Sequence, residues 1–177
     1  MTTFEISGKP SWFAVSTRSR QEKTVASKLG AAGIQFFLPM ATEMRQWSDR
    51  VQAIQTPIFA GYIFVQIHAH KREELAVLTT PGVVRLIGNG KGALPIPDQQ
   101  MEDLRRVLSL NLRYETSSFL QAGDRVRVVG GALAGVEGTL VRSGSGERLI
   151  VSIEMIQRAI SITVSRRDVE LVLTHAA

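Results

Sequence analysis

The chain has 177 residues, 44% of them hydrophobic, with a net charge of +5 and no cysteine. That length holds one domain or two small ones, and the missing thiols exclude disulfides and thiolate-held zinc. No apolar run nears the ~20 residues that cross a bilayer, and the opening MTTFEISGKPSWF lacks a basic segment followed by an apolar one, so a cytoplasmic protein without membrane attachment is expected.

The basic excess lies in residues 1–118, with 14 Lys/Arg against 10 Asp/Glu, while residues 119–177 hold 7 against 6. It is too slight for a protein that coats nucleic acid. A solvated surface and a weak nucleic-acid-facing patch both remain open. The three histidines, His68, His70 and His175, are few and scattered, so neither a metal site nor a cofactor is expected.

In chain order, WFAVSTRSR reads as a buried strand with a polar end. Ser19 and Glu22 then stand at the spacing of a capping box, ahead of a helix carrying Val25, Ala26, Leu29 and Ala32 on one side. IQFFLPM is a second strand. Residues 41–55 predict a protruding hairpin with Ser48 and Asp49 in its turn. IFAGYIFVQI, Ile58 to Ile67, is the strongest strand signal. A short helix follows over Lys71 to Leu78, stopped by TTPG; VVRLIG is another strand, and GNGKG is a hairpin turn. Asp98 then caps a helix whose Met101, Leu104, Val107 and Leu108 form one stripe. Helices alternating with strands in this order predict a split β-α-β sheet with its helices on one face. Residues 111–122 have no clear period and read as a linker.

Beyond Gly123 the hydrophobic period changes to two. Val126 and Val128 alternate with arginines; Leu149, Val151 and Ile153, then Ile160, Ile162 and Val164, then Val169, Leu171 and Leu173 follow the same rule. With GTLVR these make five short strands in about fifty residues, and so small a sheet buries a core by curling into a barrel. Gly130 and Gly131 open its first loop, Gly135 and Gly138 turn the chain back, and Gly144 and Gly146 make the next hairpin.

GDRVRV, followed by GALAGVEG and a hydrophobic strand, resembles a KOW motif. FAGYIFVQI resembles the F-P-G-Y-V-F-V strand of the NusG N-terminal (NGN) domain, and TTPGVVRLIG and LPIPDQQM resemble the segments that follow it there. The similarity runs from Trp12 to about Leu173 in the family's order. It implies an α+β chain: a ferredoxin-like NGN domain at 1–110, a linker at 111–122 and a five-stranded SH3-like KOW barrel at 123–177. It further implies a non-enzymatic, monomeric transcription elongation factor that grips the clamp helices of RNA polymerase.

On that resemblance the polymerase-binding residues are Phe59, Tyr62, Phe64 and Leu86. Phe59 and Tyr62 fall on opposite sides of a regular strand, so one of them should face the helices. Arg18, Arg20, His68, His70 and Lys71, at strand ends, are the expected contacts to the non-template DNA strand or nascent RNA. RQWSDRVQAIQTPIF and SIEMIQRAISITV resemble the specialised UpxY, RfaH and LoaP antiterminators. The general factor's I-F-G-R is here Met155, Ile156, Gln157 and Arg158, Val136 replaces a loop phenylalanine, and Ala60 and Ala132 replace prolines. Leu133, Val136, Ile156 and Arg158 are the expected partner face of the barrel, with a ribosomal protein as a candidate and the termination factor Rho not expected. Two alternatives stay open: a general NusG coupling polymerase to Rho or the ribosome, and a KOW-bearing ribosomal protein, although the rear part's charge balance is unusual for the latter. No nucleophile set, phosphate-cradling loop or ligand spacing supports an enzyme.

Overall fold

Strand β1 (Ser11–Thr17) is buried along most of its length, as an apolar WFAV run requires. Helix α1 (Glu22–Ala31) follows it, then β2 (Gln35–Phe37), and β3 (Met40–Gln46) pairs with β4 (Val51–Pro57) as the predicted hairpin. Next come β5 (Tyr62–Ile67), α2 (Lys71–Leu78), β6 (Val83–Leu86) and the two-residue strands β7 (Gly88–Asn89) and β8 (Gly92–Ala93). Helix α3 (Asp98–Ser109) precedes β9 (Tyr114–Ser118), β10 (Asp124–Val128), β11 (Glu137–Ser143), β12 (Gly146–Ile153), β13 (Arg158–Val164) and β14 (Val169–Leu171). This computed structural model describes residues 8–47, 50–89, 91–118, 123–143 and 146–172. Ser48, Asp49, Gly144, Leu173 and His175, all named above, lie outside the described residues.

The chain divides into two units, Met1–Pro95 and Ile96–Ala177. In the first, four antiparallel strands run in the order β2-β5-β1-β6, the split β-α-β topology that the element order implies. Phe13 and Val15 of β1 and Ile63, Val65 and Ile67 of β5 share a cluster with Val25, Ala26 and Leu29 of α1 and Val77 of α2. Both helices therefore cover one face. The capping box is not formed: α1 starts at Glu22 behind Gln21, with no side-chain cap. Glu22 is buried, and its Oε1 instead accepts the Gly61 N–H at 2.7 Å. A buried carboxylate needs a donor wherever the fold supplies one.

The second unit differs from the expected five-stranded barrel behind a linker. Its sheet has six antiparallel strands in the order β14-β10-β11-β12-β13-β9, because Tyr114–Ser118, inside the expected linker, pairs with β13. The end strands β14 and β9 are not paired with each other among the described residues. The backbone of Tyr114–Ser118 extends the sheet by pairing antiparallel along Arg158–Ile162.

Helix α3, expected with the front domain, also belongs to this unit. Met101, Leu104 and Val107 are buried and Leu108 is half-buried, which agrees with the predicted stripe. Four polar side chains of the helix reach backbone of β11 and of the turns that join the sheet's strands. Gln100 Oε1 accepts the Glu154 N–H at 3.2 Å, and Asp103 Oδ2 accepts the Glu137 N–H at 3.2 Å. Arg106 donates to the Ala132 carbonyl at 2.9 Å, and Gln99 to the Gly135 carbonyl at 3.5 Å. Asp98 is the first helical residue and Pro97 the cap position, with no side-chain cap.

Asp103 is a buried charge without a cation partner among these contacts. Burial pushes its carboxyl above the ordinary value, and hydrogen bonds from the Glu137 amide and Gln99 offset this only in part. Asp103→Ala should lower stability by about 1–3 kcal/mol, since the Glu137 N–H loses its acceptor. Asp103→Asn should keep an acceptor while removing the charge. Because the folded-state pKa is raised, the ionised carboxyl opposes folding at neutral pH, and that opposition disappears as pH falls through the folded value. The asparagine variant should therefore match or exceed the parent at neutral pH, with its advantage vanishing in acid. Denaturant unfolding across pH measures both variants.

Candidate functional site

Strands β1 and β5 run antiparallel, with Ser16 opposite Tyr62 and Ser11 opposite Ile67. The loop after β1 thus lies at the start of β5, and the loop after β5 at the start of β1. This register places the five residues expected to contact nucleic acid at two different ends of the sheet. Arg18 and Arg20 follow β1 at the end of the sheet that carries Tyr62, whereas His68, His70 and Lys71 follow β5 at the other end, roughly 17 Å away along the strands. Short sequence distances from strand ends do not reveal which end of a sheet a loop occupies.

The Tyr62 end is built by glycine turns. Tyr62 N donates to the Phe59 carbonyl at 3.1 Å across a turn whose Gly61 has φ 82°, a value favouring glycine at that place. Ala60 occupies the turn position where the family commonly has proline, and Gly61 maintains the geometry without it. Thr17 N donates to the Gly61 carbonyl at 2.9 Å and Arg18 N to the Gly82 carbonyl at 2.8 Å. Three loops are therefore tied together: the one after β1, the one before β5 and the one before β6.

The same turn corrects the reading of Phe59 and Tyr62. Regular alternation does not extend across Gly61, so the two are not opposite faces of one strand. Phe59 is 2% exposed and Phe64 fully buried; their rings meet edge to face at 6.2 Å, and Phe37 stacks on Phe64 at 6.3 Å. Neither Phe59 nor Phe64 offers a ring to a partner. Leu86 stands opposite Val15 and packs on the helix-side cluster, on the other face from Tyr62. Of the four expected docking residues, Tyr62 alone combines partial exposure with the helix-free face.

Arg85 was not singled out in the sequence. It pairs with Ser16, which also pairs with Tyr62, so Tyr62, Ser16 and Arg85 form one row across β5, β1 and β6 on the helix-free face. Arg85 is exposed, as are Arg18 and Arg20. The available signal was a lone arginine in the VVRL strand, legible only once the strand's register is known.

The expected partner face of the second unit also changes. Val136 is fully buried and Ile156 is 4% exposed, so neither side chain is presented to a partner. Their segments include backbone groups bound by α3: the Glu137 and Glu154 amides and the Gly135 carbonyl. Leu133 is half-buried, and exposed Arg158 donates to the Gln157 carbonyl at 3.2 Å. Gln157, where the family motif has glycine, holds φ 51°. On the outer side of this sheet, Arg127 binds Glu137 at 2.6 Å; that hydrogen bond holds the Glu137 carboxyl below its ordinary range despite burial.

At the far end of β5, the histidines are less scattered than the sequence implied. His68 and His70 stack with ring centroids 5.9 Å apart, and both face Glu73. Burial raises the Glu73 carboxyl, but hydrogen bonds from the His68 amide and imidazole outweigh it and leave the group below its ordinary value.

The chain is thus a mixed α/β protein of two units. Residues 10–105 match the family described as "Transcription termination factor nusG", and the chain belongs to the NusG family of transcription factors. It is 23% identical to the transcription termination/antitermination protein NusG of Lactococcus lactis over 93% of this chain and 95% of that protein. Against the NusG of Thermus thermophilus the identity is 27%, covering 73% and 80% of the two chains. The solved structure titled "Domain interaction in Thermotoga maritima NusG" has the same fold, with TM-score 0.51 and 20% identity over 93% of this chain and 98% of that one. No described helix is long and apolar enough to cross a membrane.

Gly82 tests the construction of the Tyr62 end. It has φ 102°, and a Cβ there would lie 2.6 Å from Gln21 Oε1 and 2.8 Å from Val25 Cγ2. Gly82→Ala should destabilise the first unit by about 1–3 kcal/mol through backbone strain and crowding. Thermal and denaturant unfolding should both register the loss.

Proposed function

We propose that this chain is a transcription elongation and antitermination factor whose front unit docks on the clamp helices of RNA polymerase. Docking reduces pausing and carries polymerase through the terminators of particular operons. The observation that carries the reading is Tyr62: a partly exposed aromatic on the helix-free face, fixed by the Gly61 turn and sharing a cross-sheet row with Arg85, two strands away. A tyrosine presents a large ring at small entropic cost, and a few such residues supply most of an interface's binding energy. Arg18, Arg20 and Arg85 at the same end serve phosphate contacts with the non-template strand or nascent RNA. Phe59 and Phe64 support the docking surface from within.

The rear unit takes the KOW role, and its partner is a ribosomal protein or another component of the expression machinery, not Rho. Buried Val136 and Ile156 offer no aromatic rings to a partner. The second reading is a general NusG; the relatives carry combined termination and antitermination names.

Tyr62→Ala should weaken binding to polymerase by about 1–2 kcal/mol with the fold intact, while Leu86→Ala should mainly lower stability. In purified transcription reactions the parent protein should shorten pauses without stimulating Rho-dependent release, and Tyr62→Ala should lose the pause effect at equal concentration. Normal binding by Tyr62→Ala would remove the docking assignment. Strong Rho stimulation would favour the general factor.

A further inference from the structure

The end of β5 and the first turn of α2 gather three side chains of metal-ligating type. His68 Nδ1 lies 3.1 Å from Glu73 Oε1, and His70 Nε2 lies 3.3 Å from the same oxygen. One ligating atom from each residue falls within 4.8 Å of the others. The donors are held by backbone structure. His68 N donates to Glu73 Oε2 at 2.7 Å, fixing the carboxylate, and His70 caps α2 by accepting the Glu73 N–H at 3.4 Å. All three side chains are about one-quarter to one-third exposed, so an ion can reach them from solvent.

Metal–donor distances of 2.0–2.1 Å in a tetrahedron place neighbouring donors roughly 3.3 Å apart. Two of the three edges here already have that length. Two imidazoles and one carboxylate suit a borderline cation such as zinc, nickel or cobalt; magnesium and calcium prefer sets of oxygen donors. We infer that His68, His70 and Glu73 form a three-ligand site for a divalent transition-metal ion, with water completing its coordination. Binding would replace the direct contacts of both imidazoles with Glu73 Oε1 by bonds from all three side chains to the ion. His70 would exchange its long cap bond for the metal bond.

The sequence permits a clean test, because its one other histidine is His175 and there are no cysteines. The full chain should be titrated with zinc chloride by calorimetry, and cobalt binding followed by visible absorption. One zinc per chain is expected, with a cobalt spectrum of intensity typical of low coordination. His68→Ala, His70→Asn and Glu73→Gln should each weaken zinc binding by at least about tenfold, since even groups supporting a metal ligand contribute that much. Asparagine is itself a good helix cap, so His70→Asn removes the imidazole while retaining the start of α2; metal-free circular dichroism should be unchanged. His175→Ala should bind as the parent does. Absence of saturable one-to-one binding would overturn the site, as would binding retained by the His68→Ala/His70→Asn double variant. Loss of binding in His175→Ala would do the same.

Discussion

The antiparallel pairing of β1 with β5 governs where every candidate group of the front unit can act. With Ser16 set against Tyr62 and Ser11 against Ile67, each loop following one strand is delivered to the beginning of the other. The arginines after β1 thereby join the aromatic at the start of β5. The histidines after β5 are carried to the opposite end, where Glu73 of the next helix meets them. A one-residue slip of β5 against β1 would exchange the faces of the β5 side chains. It would turn Tyr62 toward the helices and Ile63, Val65 and Ile67 away from them, so the cluster beneath α1 and α2 fixes the register.

A different constraint organises the second unit. Helix α3 brings a buried carboxylate and two amides to backbone groups near the loops of the sheet, and its apolar stripe is buried along with them. The arrangement joins burial with hydrogen bonding: Asp103 loses water but finds donors in Gln99 and the Glu137 amide, while Met101, Leu104 and Val107 supply apolar burial. Strand β9 extends the same sheet beyond β13. A helix and a strand that local pattern assigns elsewhere thus become parts of one unit.

Much of the architecture was legible because its signals are local. The helix over Lys71–Leu78, the α3 stripe and the β3–β4 hairpin follow from period, stop signals and turn residues. The family motifs likewise pointed to the NusG family. What was not legible depends on long-range placement. Glu22 looked like half of a capping box, but the nearest useful donor was Gly61, thirty-nine residues away. Phe59 and Tyr62 looked like opposite faces of a strand because a single glycine φ value was hidden from the pattern. Tyr114–Ser118 looked like linker because its polar side chains gave no apolar period. Val136 and Ile156 looked like partner-facing residues, yet their side chains are buried. Glu73 entered no ligand count because its importance comes from two histidines folding over it.

We propose as the surface for polymerase the end of the front unit's sheet that carries Tyr62, with the exposed Arg18, Arg20 and Arg85 at the same end. This is the central functional claim, and hydrogen–deuterium exchange of the full chain, free and bound to RNA polymerase, tests it most directly. Binding should slow exchange most in the Gly61 turn and the flanking loops at Arg18–Arg20 and Gly82, at the end of the sheet that carries Tyr62. If those segments exchange equally in both states while protection falls on residues 123–172, polymerase is gripping the rear unit and the assignment is wrong.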